Sequence, residues 1–319
     1  MNINEKDDVF DDYPLLEATK NNNIEIVKLL ISYAEINSII LNINEKDNRG
    51  DFPLLMAIKN NNIEIIKLLM ECANSYNIIL NIEEKNIKGD YPLLVATRNN
   101  NTEIVKFLKE YASKNDIILN INEKDEDGDF PLLLAIKNNN IEIVKLLIRY
   151  AEINNIILNI NEKDDIFGYY LLLEAIKKNS TEIVKLLEEY ACKNNIILNI
   201  NEKDDILNNY PLLEATINNN NEIVKFLIHY ANSTNIILNI NEKGEHGDYP
   251  LLEAIKQNNT ETVKLLEEYA YKNNIILNIN EKDDRGDHPL LIATRNNNNE
   301  IIKILEEYAH KKKIILNIK

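Results

Sequence analysis

The chain lacks the features of a secreted, membrane-embedded or nucleic-acid-binding protein. Its first residues, MNINEKDD, contain no basic segment followed by an apolar one, so a secretory signal is not expected. No apolar stretch approaches the ~20 residues that a transmembrane helix needs. The 36 lysines and arginines are outnumbered by 52 aspartates and glutamates, and a net charge of −16 would repel a phosphate backbone. We therefore expect a soluble cytoplasmic protein that binds neither membranes nor nucleic acid.

Cysteine, glycine and proline are scarce as well. The two cysteines, Cys72 and Cys192, lie far apart in the sequence and should be too distant to form a disulfide, which fits a reducing compartment. No Gly/Ser-rich linker interrupts the chain, and its composition does not shift along its length. These absences argue against a division into differently composed domains.

What the sequence has in abundance is repetition. The stretch Gly128–Ala151, GDFPLLLAIKNNNIEIVKLLIRYA, recurs in near-identical form eight times, and its Ala135 has counterparts spaced by 39 or 40 residues. A period of this length is typical of a solenoid, in which each unit buries its apolar face against its neighbours. We therefore predict one array over residues 1–319, with approximate repeats at 2–41, 42–80, 81–119, 120–158, 159–198, 199–237, 238–276 and 277–319.

Each repeat has the pattern of two short helices. Pro131 suits the first position of a helix because its missing N–H would be unpaired there, and Asp129 is expected to cap the same end. Asparagine tolerates the left-handed conformation that closes a helix, so Asn139 is expected to make the turn. Apolar residues at helical spacing then fill one face of Ile141–Ala151. The pattern predicts a helix–turn–helix pair.

The string G-x-x-P-L-L-x-A-x-x-N-N-N-x-E-I-V-K-L-L resembles the ankyrin repeat signature, and the resemblance covers essentially the whole chain. It implies an all-α, ankyrin-like helix–turn–helix solenoid with hairpin loops between repeats. Two departures recur. The family's threonine is replaced by an aromatic residue or histidine, as at Phe130 and His288, and its histidine by leucine, as at Leu133. Apolar contacts should therefore replace the pairing between the family's threonine and histidine, and each leucine should contribute roughly 2 kcal/mol if it is fully buried.

The segment between one repeat and the next is longer than in that family. In the fourth repeat it reads EINNIILNINEK, and its Ile156, Ile157, Leu158 and Ile160 are apolar. Such residues favour extended backbone. We expect an extended segment packed over the helix ends, and the sequence leaves open whether it forms a strand.

A search of the sequence for chemistry finds no catalytic, cofactor or metal site. The four histidines lie in different repeats without ligand-like spacing, and no phosphate-binding glycine loop, nucleophile elbow or HExxH motif is present. The recurring Asn-Glu-Lys-Asp motif, as at Glu123–Asp125, places carboxylates together, yet it recurs in nearly every repeat. An active site is not usually built eight times, so we interpret the motif as loop chemistry and expect no enzyme and no cofactor.

The resemblance implies that a partner binds the concave face, formed by the hairpin tips and the first helices. Tip residues vary most between copies, and the loop is one residue longer in repeats one, five and six. Repeats five and six combine this length with apolar tips, and repeat six also replaces a first-helix cation with isoleucine. We predict an exposed apolar window that binds a partner; alternatively, the longer loops fold back and bury these side chains. The window comprises Ile166, Phe167, Tyr169, Ile206, Leu207 and Ile217.

Beside this window, aspartate occupies one equivalent position in six repeats. A spacing of roughly 10 Å between packed repeats would place these carboxylates about one Debye length apart, so that together they form a negative face. Alternatively, each is a solvated helix cap. The predicted partner-binding aspartates are Asp90, Asp129, Asp248 and Asp287, and the remaining two are Asp12 and Asp51.

The sequence therefore predicts a non-catalytic protein-binding scaffold or adaptor. Its partner would be a protein that is basic or amphipathic and presents a hydrophobic centre. The alternative is a self-associating structural protein, because neither terminal repeat carries an obvious polar cap and uncapped solenoid ends can stack on other copies.

Overall fold

In the computed structural model, which describes residues 3–163, 168 and 170–317, the chain folds into helical pairs. Sixteen helices occur in these ranges, two in each repeat. The β pairing recorded there is an isolated antiparallel bridge between Lys163 and Tyr170. The structure thus confirms the all-α helix–turn–helix expectation, and the extended segments between repeats form no strand in the described residues.

The first helix of each pair has 7 residues and the second has 13 or 14. The first helices are Pro14–Lys20 (α1), Pro53–Lys59 (α3), Pro92–Arg98 (α5), Pro131–Lys137 (α7), Leu171–Lys177 (α9), Pro211–Ile217 (α11), Pro250–Lys256 (α13) and Pro289–Arg295 (α15). The second helices are Ile24–Ile36 (α2), Ile63–Ser75 (α4), Thr102–Lys114 (α6), Ile141–Ile153 (α8), Thr181–Lys193 (α10), Asn221–Thr234 (α12), Thr260–Lys272 (α14) and Asn299–Lys312 (α16).

The contacts divide the chain into two units, Met1–Leu158 and Asn159–Lys319. In each unit the first helices pack side by side, α1 on α3 on α5 on α7 in one and α9 on α11 on α13 on α15 in the other. The second helices form a parallel layer behind them, and every first helix contacts the second helix of its own repeat. Each repeat therefore buries its apolar face mainly against itself and its immediate neighbours.

Proline begins the first helix as predicted, but the aspartate before it does not cap that helix. The residue at the N-cap of α7 is Phe130, whose side chain makes no capping hydrogen bond. Asp129 lies one residue too early, and its Oδ1 accepts a 2.7 Å hydrogen bond from Lys137 Nζ instead. The prediction of an aspartate cap was therefore wrong, because an aromatic residue separates the acid from the helix.

Each asparagine of the Asn-Asn-Asn turn has a separate structural role. In the fourth repeat, Asn138 Nδ2 donates to the carbonyl of Thr97 in the preceding repeat at 3.0 Å. Asn139 adopts the left-handed conformation with a φ of 51°, as predicted. Asn140 caps α8 by accepting from Ile143 N at 3.0 Å, and its Nδ2 donates to Asn100. The asparagine-rich turn thus closes one helix, starts the next and bonds two repeats together.

The residues that depart from the ankyrin signature lie in the core. Leu133 is fully buried, and so is Tyr91, which stands at the position of the family's threonine. The Tyr91 hydroxyl also donates to the carbonyl of Glu123 in the next repeat at 2.9 Å. The aromatic side chain therefore combines apolar burial with a hydrogen bond across the repeat boundary.

The segment between repeats packs in alternation. Leu158 and Ile160 are buried, whereas Ile157 is exposed. In other repeats the buried leucine donates its backbone N–H to a tyrosine hydroxyl of the following repeat, as from Leu80 N to Tyr111 at 2.9 Å. Within the ranges that the structure describes, no helix is long and apolar enough to cross a membrane.

Candidate partner-binding surface

An aspartate closes most of the hairpin loops from inside. In repeat two, Asp47 Oδ1 accepts from the backbone N–H groups of Arg49 and Asp51 at 2.9 and 2.8 Å. In the longer loop of repeat six, Asp204 Oδ1 accepts from Ile206 and Leu207 at 3.0 and 2.6 Å. Such bonds fix the loop through its own backbone. The tip side chains are consequently left to vary without disturbing the turn.

The longer loop of repeat six keeps the left-handed residue that closes the shorter loops. Gly50 and Gly89 take positive φ in the shorter loops, and Asn208 does so in repeat six with a φ of 52°. Neighbouring tips are joined by backbone hydrogen bonds, such as Glu245 N to Leu207 O at 2.9 Å. The tips within a unit therefore form a continuous edge.

A cation at the end of the first helix, here called the repeat cation, links neighbouring repeats. Lys20 pairs with Asp12 of its own loop and lies 2.7 Å from Asp47 of the next. Lys59 bridges Asp51 and Asp90 at 3.0 and 3.2 Å. The repeat cations of the described residues are Lys20, Lys59, Arg98, Lys137, Lys177, Lys256 and Arg295.

The pKa shifts follow from this bridging. Burial alone would raise the pKa of Asp90, but Arg98 and Lys59 outweigh it and hold that pKa below its usual value. Burial opposes charge on Lys256 too, and its contacts with Asp248, Glu253 and Asp283 raise its pKa nonetheless. Both groups therefore keep their charges in the folded chain.

The predicted partner-binding aspartates all take part in these pairs. Asp90 is buried, and Asp129, Asp248 and Asp287 are half-buried. Asp90 pairs with both Lys59 and Arg98. The other three each pair with the cation of their own repeat, Asp129 with Lys137, Asp248 with Lys256 and Asp287 with Arg295. The aspartate ladder is thus a row of ion pairs whose negative charge is only partly balanced, because cations such as Arg98 and Lys256 are each shared by two or more carboxylates, and its role in partner binding stays a prediction.

The junction between repeats six and seven lacks this arrangement entirely. The repeat cation is replaced by Ile217, the aspartate eight residues before it by Asn209, and the turn aspartate of the next repeat by Gly244. A Cβ atom on Gly244 would lie 2.9 Å from Asn209 Oδ1 and from Leu213 Cδ2, so the neighbouring groups close over the glycine. All three members of the charged bridge are therefore absent together.

The described part of the predicted apolar window lies at this junction. Ile206 and Leu207 are 45% and 39% exposed, and Ile217 is half-buried. This partial exposure argues against loops that fold back and bury their tips. Ile166, Phe167 and Tyr169 of the same prediction lie outside the described residues.

Three buried glutamates on the first helices were missed in the sequence. Glu174, Glu214 and Glu253 occupy one position in repeats five to seven, where repeats two to four have Met56, Val95 and Leu134. Burial raises the pKa of Glu214, and the amide of Asn209 donates to its Oε2 at 3.0 Å. A switch from apolar to acidic residues at one repeat position was the signal that could have revealed them.

The histidines and acidic side chains of the described residues do not assemble a metal site. No group of three or more His, Cys, Asp or Glu side chains in them could hold a metal ion. Of the histidines, His229, His246 and His310 are exposed, and His288 is buried as the N-cap of α15. The arrangement provides an apolar patch beside carboxylates, which suits recognition of another molecule.

Comparisons with known proteins agree with the repeat geometry. The family model for ankyrin repeats (3 copies) matches residues 1–80, 73–157 and 215–315. The crystal structure of the ankyrin repeat domain of Bcl-3, described as a unique member of the IkappaB protein family, superposes with a TM-score of 0.53. That match has 19% identity and covers 80% of this chain and 98% of the other. Among curated proteins, none matches the sequence.

Proposed function

The chain belongs to the ankyrin repeat family, and we propose that it is a protein-binding scaffold whose anchor is the apolar junction between repeats six and seven. Ankyrin repeats form a non-catalytic fold that mediates protein–protein interaction. The binding surface would comprise the hairpin tips and the exposed sides of the first helices. The anchor itself would be Ile206, Leu207 and Ile217.

The observation that carries the proposal is the coordinated loss of charge at this junction. Replacing the repeat cation alone would leave aspartates at the positions of Asn209 and Gly244, the counterparts of Asp12 and Asp47, partly buried without a cation, which is costly. Here the two acidic positions are neutral as well, as Asn209 and Gly244, so the junction tolerates an apolar surface. A neutral, partly exposed apolar patch within a charged row is a feature of protein interaction sites.

The charge around the anchor favours a basic or amphipathic partner. The chain as a whole carries a net charge of −16. Next to Ile217, the half-buried acid Asp248 lies one repeat further on and the buried Glu214 lies one helical turn earlier. Apolar contact at the centre would supply most of the affinity, and the surrounding negative potential would orient and accelerate binding.

Affinity capture from the source cells tests this proposal. The bait is the wild-type chain beside Leu207→Asp, with Ile87→Asp as the matched control because Ile87 is an apolar tip residue, 65% exposed, in repeat three. All three baits should melt at the same temperature, since both side chains are exposed. A partner recovered with wild type and control but at least tenfold less with Leu207→Asp supports the anchor; equal recovery on all three baits contradicts it.

A further inference from the structure

The outer face of α2 is an exposed apolar surface. Ile26, Leu29 and Tyr33 are 44%, 68% and 40% exposed. Together with Ile3 and Ile36 they line an open groove of about 400 Å³ with almost no polar surface. In the later repeats the positions of Ile26 and Tyr33 are buried, and the position of Leu29 is half-buried. Ile104 is fully buried and Tyr111 is 7% exposed. The first repeat therefore presents an interior surface to its outer side.

The outer face of the last repeat has the complementary property. Leu290, Ile302 and Leu316 are half-buried, whereas their counterparts in repeat seven, Leu251, Val263 and Leu277, are at most 3% exposed. Thr294 is exposed, and its counterpart Ile255 is fully buried. Apart from Thr294, the positions named on the two faces that are buried or half-buried in other repeats carry apolar side chains here, so neither face is a fully polar cap.

Three contacts recur at the junctions inside a unit, except that Cys72 replaces the tyrosine of the first contact between repeats one and two. A leucine N–H donates to a tyrosine hydroxyl of the next repeat, as from Leu277 to Tyr308 at 2.9 Å. A lysine on the second helix pairs with a glutamate of the next, as Lys28 with Glu64 at 2.8 Å. The asparagine at the N-cap of the second helix donates to the left-handed asparagine of the preceding repeat, as Asn298 of repeat eight does to Asn258 of repeat seven at 2.6 Å.

For each of these contacts, one of the two interacting groups lies on the outer face of the first repeat and the other on the outer face of the last repeat. The first repeat presents the tyrosine, glutamate and donor asparagine as Tyr33, Glu25 and Asn23. The last repeat presents the leucine, lysine and acceptor asparagine as Leu316, Lys303 and Asn297. The apolar halves match too, because the positions of Ile26 and Tyr33 on α2 and of Ile302 on α16 are all buried in an inner repeat, as at Ile104, Tyr111 and Val105.

We propose that the outer face of the first repeat binds the outer face of the last repeat in a second copy of the chain. This head-to-tail contact reproduces an inner junction, with Tyr33 accepting from Leu316 N–H, Glu25 pairing with Lys303, and Asn23 donating to Asn297. It is heterologous, since two different surfaces meet, and each added copy leaves one face of each kind free. The mass of the assembly therefore grows with concentration.

Sedimentation velocity or light scattering on the 37.0 kDa chain measures this growth. Over about 1–200 μM, we expect the weight-average mass to rise from that of one copy to at least twice that value. A mass that stays at 37.0 kDa throughout overturns the proposal.

Variants that block one face each make the test specific. Ile26→Glu blocks the first face and Thr294→Arg the last; each alone should stay monomeric, and an equimolar mixture should form a dimer and nothing larger. Leu29→Glu replaces Ile26→Glu if that variant melts early, because Leu29 is the more exposed. Absence of the mixed dimer overturns the proposal.

Two controls match these substitutions away from the faces. Ile79→Glu changes an aliphatic residue that is 54% exposed in repeat two. Ser75→Arg changes an exposed hydroxyl that donates to Glu71 O one turn earlier, as the Thr294 hydroxyl does to Leu290 O. Both should associate like wild type, and loss of association in either contradicts the proposed faces.

Discussion

Lys59 Nζ lies 3.2 Å from Oδ2 of Asp90, a residue of the next repeat. The same ammonium group lies 3.0 Å from Asp51 in its own repeat, and all three side chains are at least three-quarters buried. The repeat cation therefore joins neighbouring repeats at the point where their first helices and loops meet. The recurring eight-residue spacing of acid and cation in this sequence therefore has a structural role, which is to join neighbouring repeats.

Loss of the bridging ammonium should destabilise the fold. Lys59→Ala leaves two carboxylates close together and partly buried, so we expect the free energy of unfolding to fall by about 2–3 kcal/mol. Lys67→Ala is the control, because Lys67 is 52% exposed and its contact with Glu103 is 4.0 Å long; a change below about 0.5 kcal/mol is expected there. Urea denaturation of both variants measures the two changes in the free energy of unfolding. Equal changes would contradict a stabilising role for the Lys59 bridge.

Much of the fold was predictable from the sequence, for reasons visible in single residues. Pro131 begins α7 and Asn139 takes the left-handed turn, since both follow from local backbone preferences. The pairing of Asp90 with Lys59 was not predictable, because it depends on how far one repeat is displaced along its neighbour. The acids were consequently expected to form a negative face, and in the structure cations accompany them.

The apolar window was predictable only as a list of side chains. Ile206 and Leu207 were recognised from loop length and composition. Their exposure depends on Asp204, which holds both backbone N–H groups and so directs the tip outward. The buried position of Glu214 likewise depends on tertiary packing, and no local propensity reveals it.

Neighbouring loops approach Gly89 closely but not Gly286, so substitution by alanine should destabilise the fold more at Gly89 than at Gly286. Gly89 and Gly286 both have positive φ, at +77° and +82°. A Cβ on Gly89 would lie 2.8 Å from the Cα of Asp125, whereas nothing lies within 4 Å of one on Gly286. We expect Gly286→Ala to cost about 1 kcal/mol from backbone strain, and Gly89→Ala about 2–4 kcal/mol because a backbone must also move. Thermal unfolding of the two variants tests this; equal costs would contradict the close approach.

Glu83 stands where most other repeats have an asparagine that bonds two segments. Asn44 shows the usual arrangement, since its Nδ2 donates to Ile79 O at 2.7 Å and its Oδ1 accepts from Asn81 N at 3.1 Å. Glu83 Oε2 accepts from Asn120 N at 2.7 Å, but its Oε1 is buried without a hydrogen-bond partner. An ionised carboxylate cannot supply the donor that the asparagine provides.

This replacement should make stability depend on pH. Burial raises the pKa of Glu83 to about 7 from 4.5, with Asn120 N–H opposing and the charge of Glu123 adding to the rise. Between these values the folded chain holds a proton that the unfolded chain releases, so the free energy of unfolding falls as pH rises and is lowest above about 7. Below 4.5 both states are protonated and the effect vanishes.

Glu83→Asn isolates this effect, because it restores the residue of the other repeats. At pH 8 the variant should be more stable than wild type by about 1–2 kcal/mol. This is less than the free energy that corresponds to the full pKa shift, because Glu83 is partly exposed and water screens its charge. At pH 4.5 the two should differ little. Urea denaturation across this range measures the difference, and a stability gap that does not change with pH would contradict a raised Glu83 pKa.

The uncharged junction between repeats six and seven is the proposed anchor for a protein partner. The triple variant Asn209→Asp, Ile217→Lys and Gly244→Asp installs there the charged bridge that Lys20 makes with Asp12 and Asp47. Gly244 does not have a positive φ, so its backbone is not strained by a side chain, but the added Cβ would lie 2.9 Å from Asn209 Oδ1 and Leu213 Cδ2 and requires those two side-chain ends to move.

The most direct test is therefore calorimetric titration of the captured partner into wild type and into the triple variant, at matched melting temperature. We predict at least tenfold weaker binding by the variant, which corresponds to about 1.4 kcal/mol or more. Equal affinity of the two chains would contradict the assignment of the anchor to this junction.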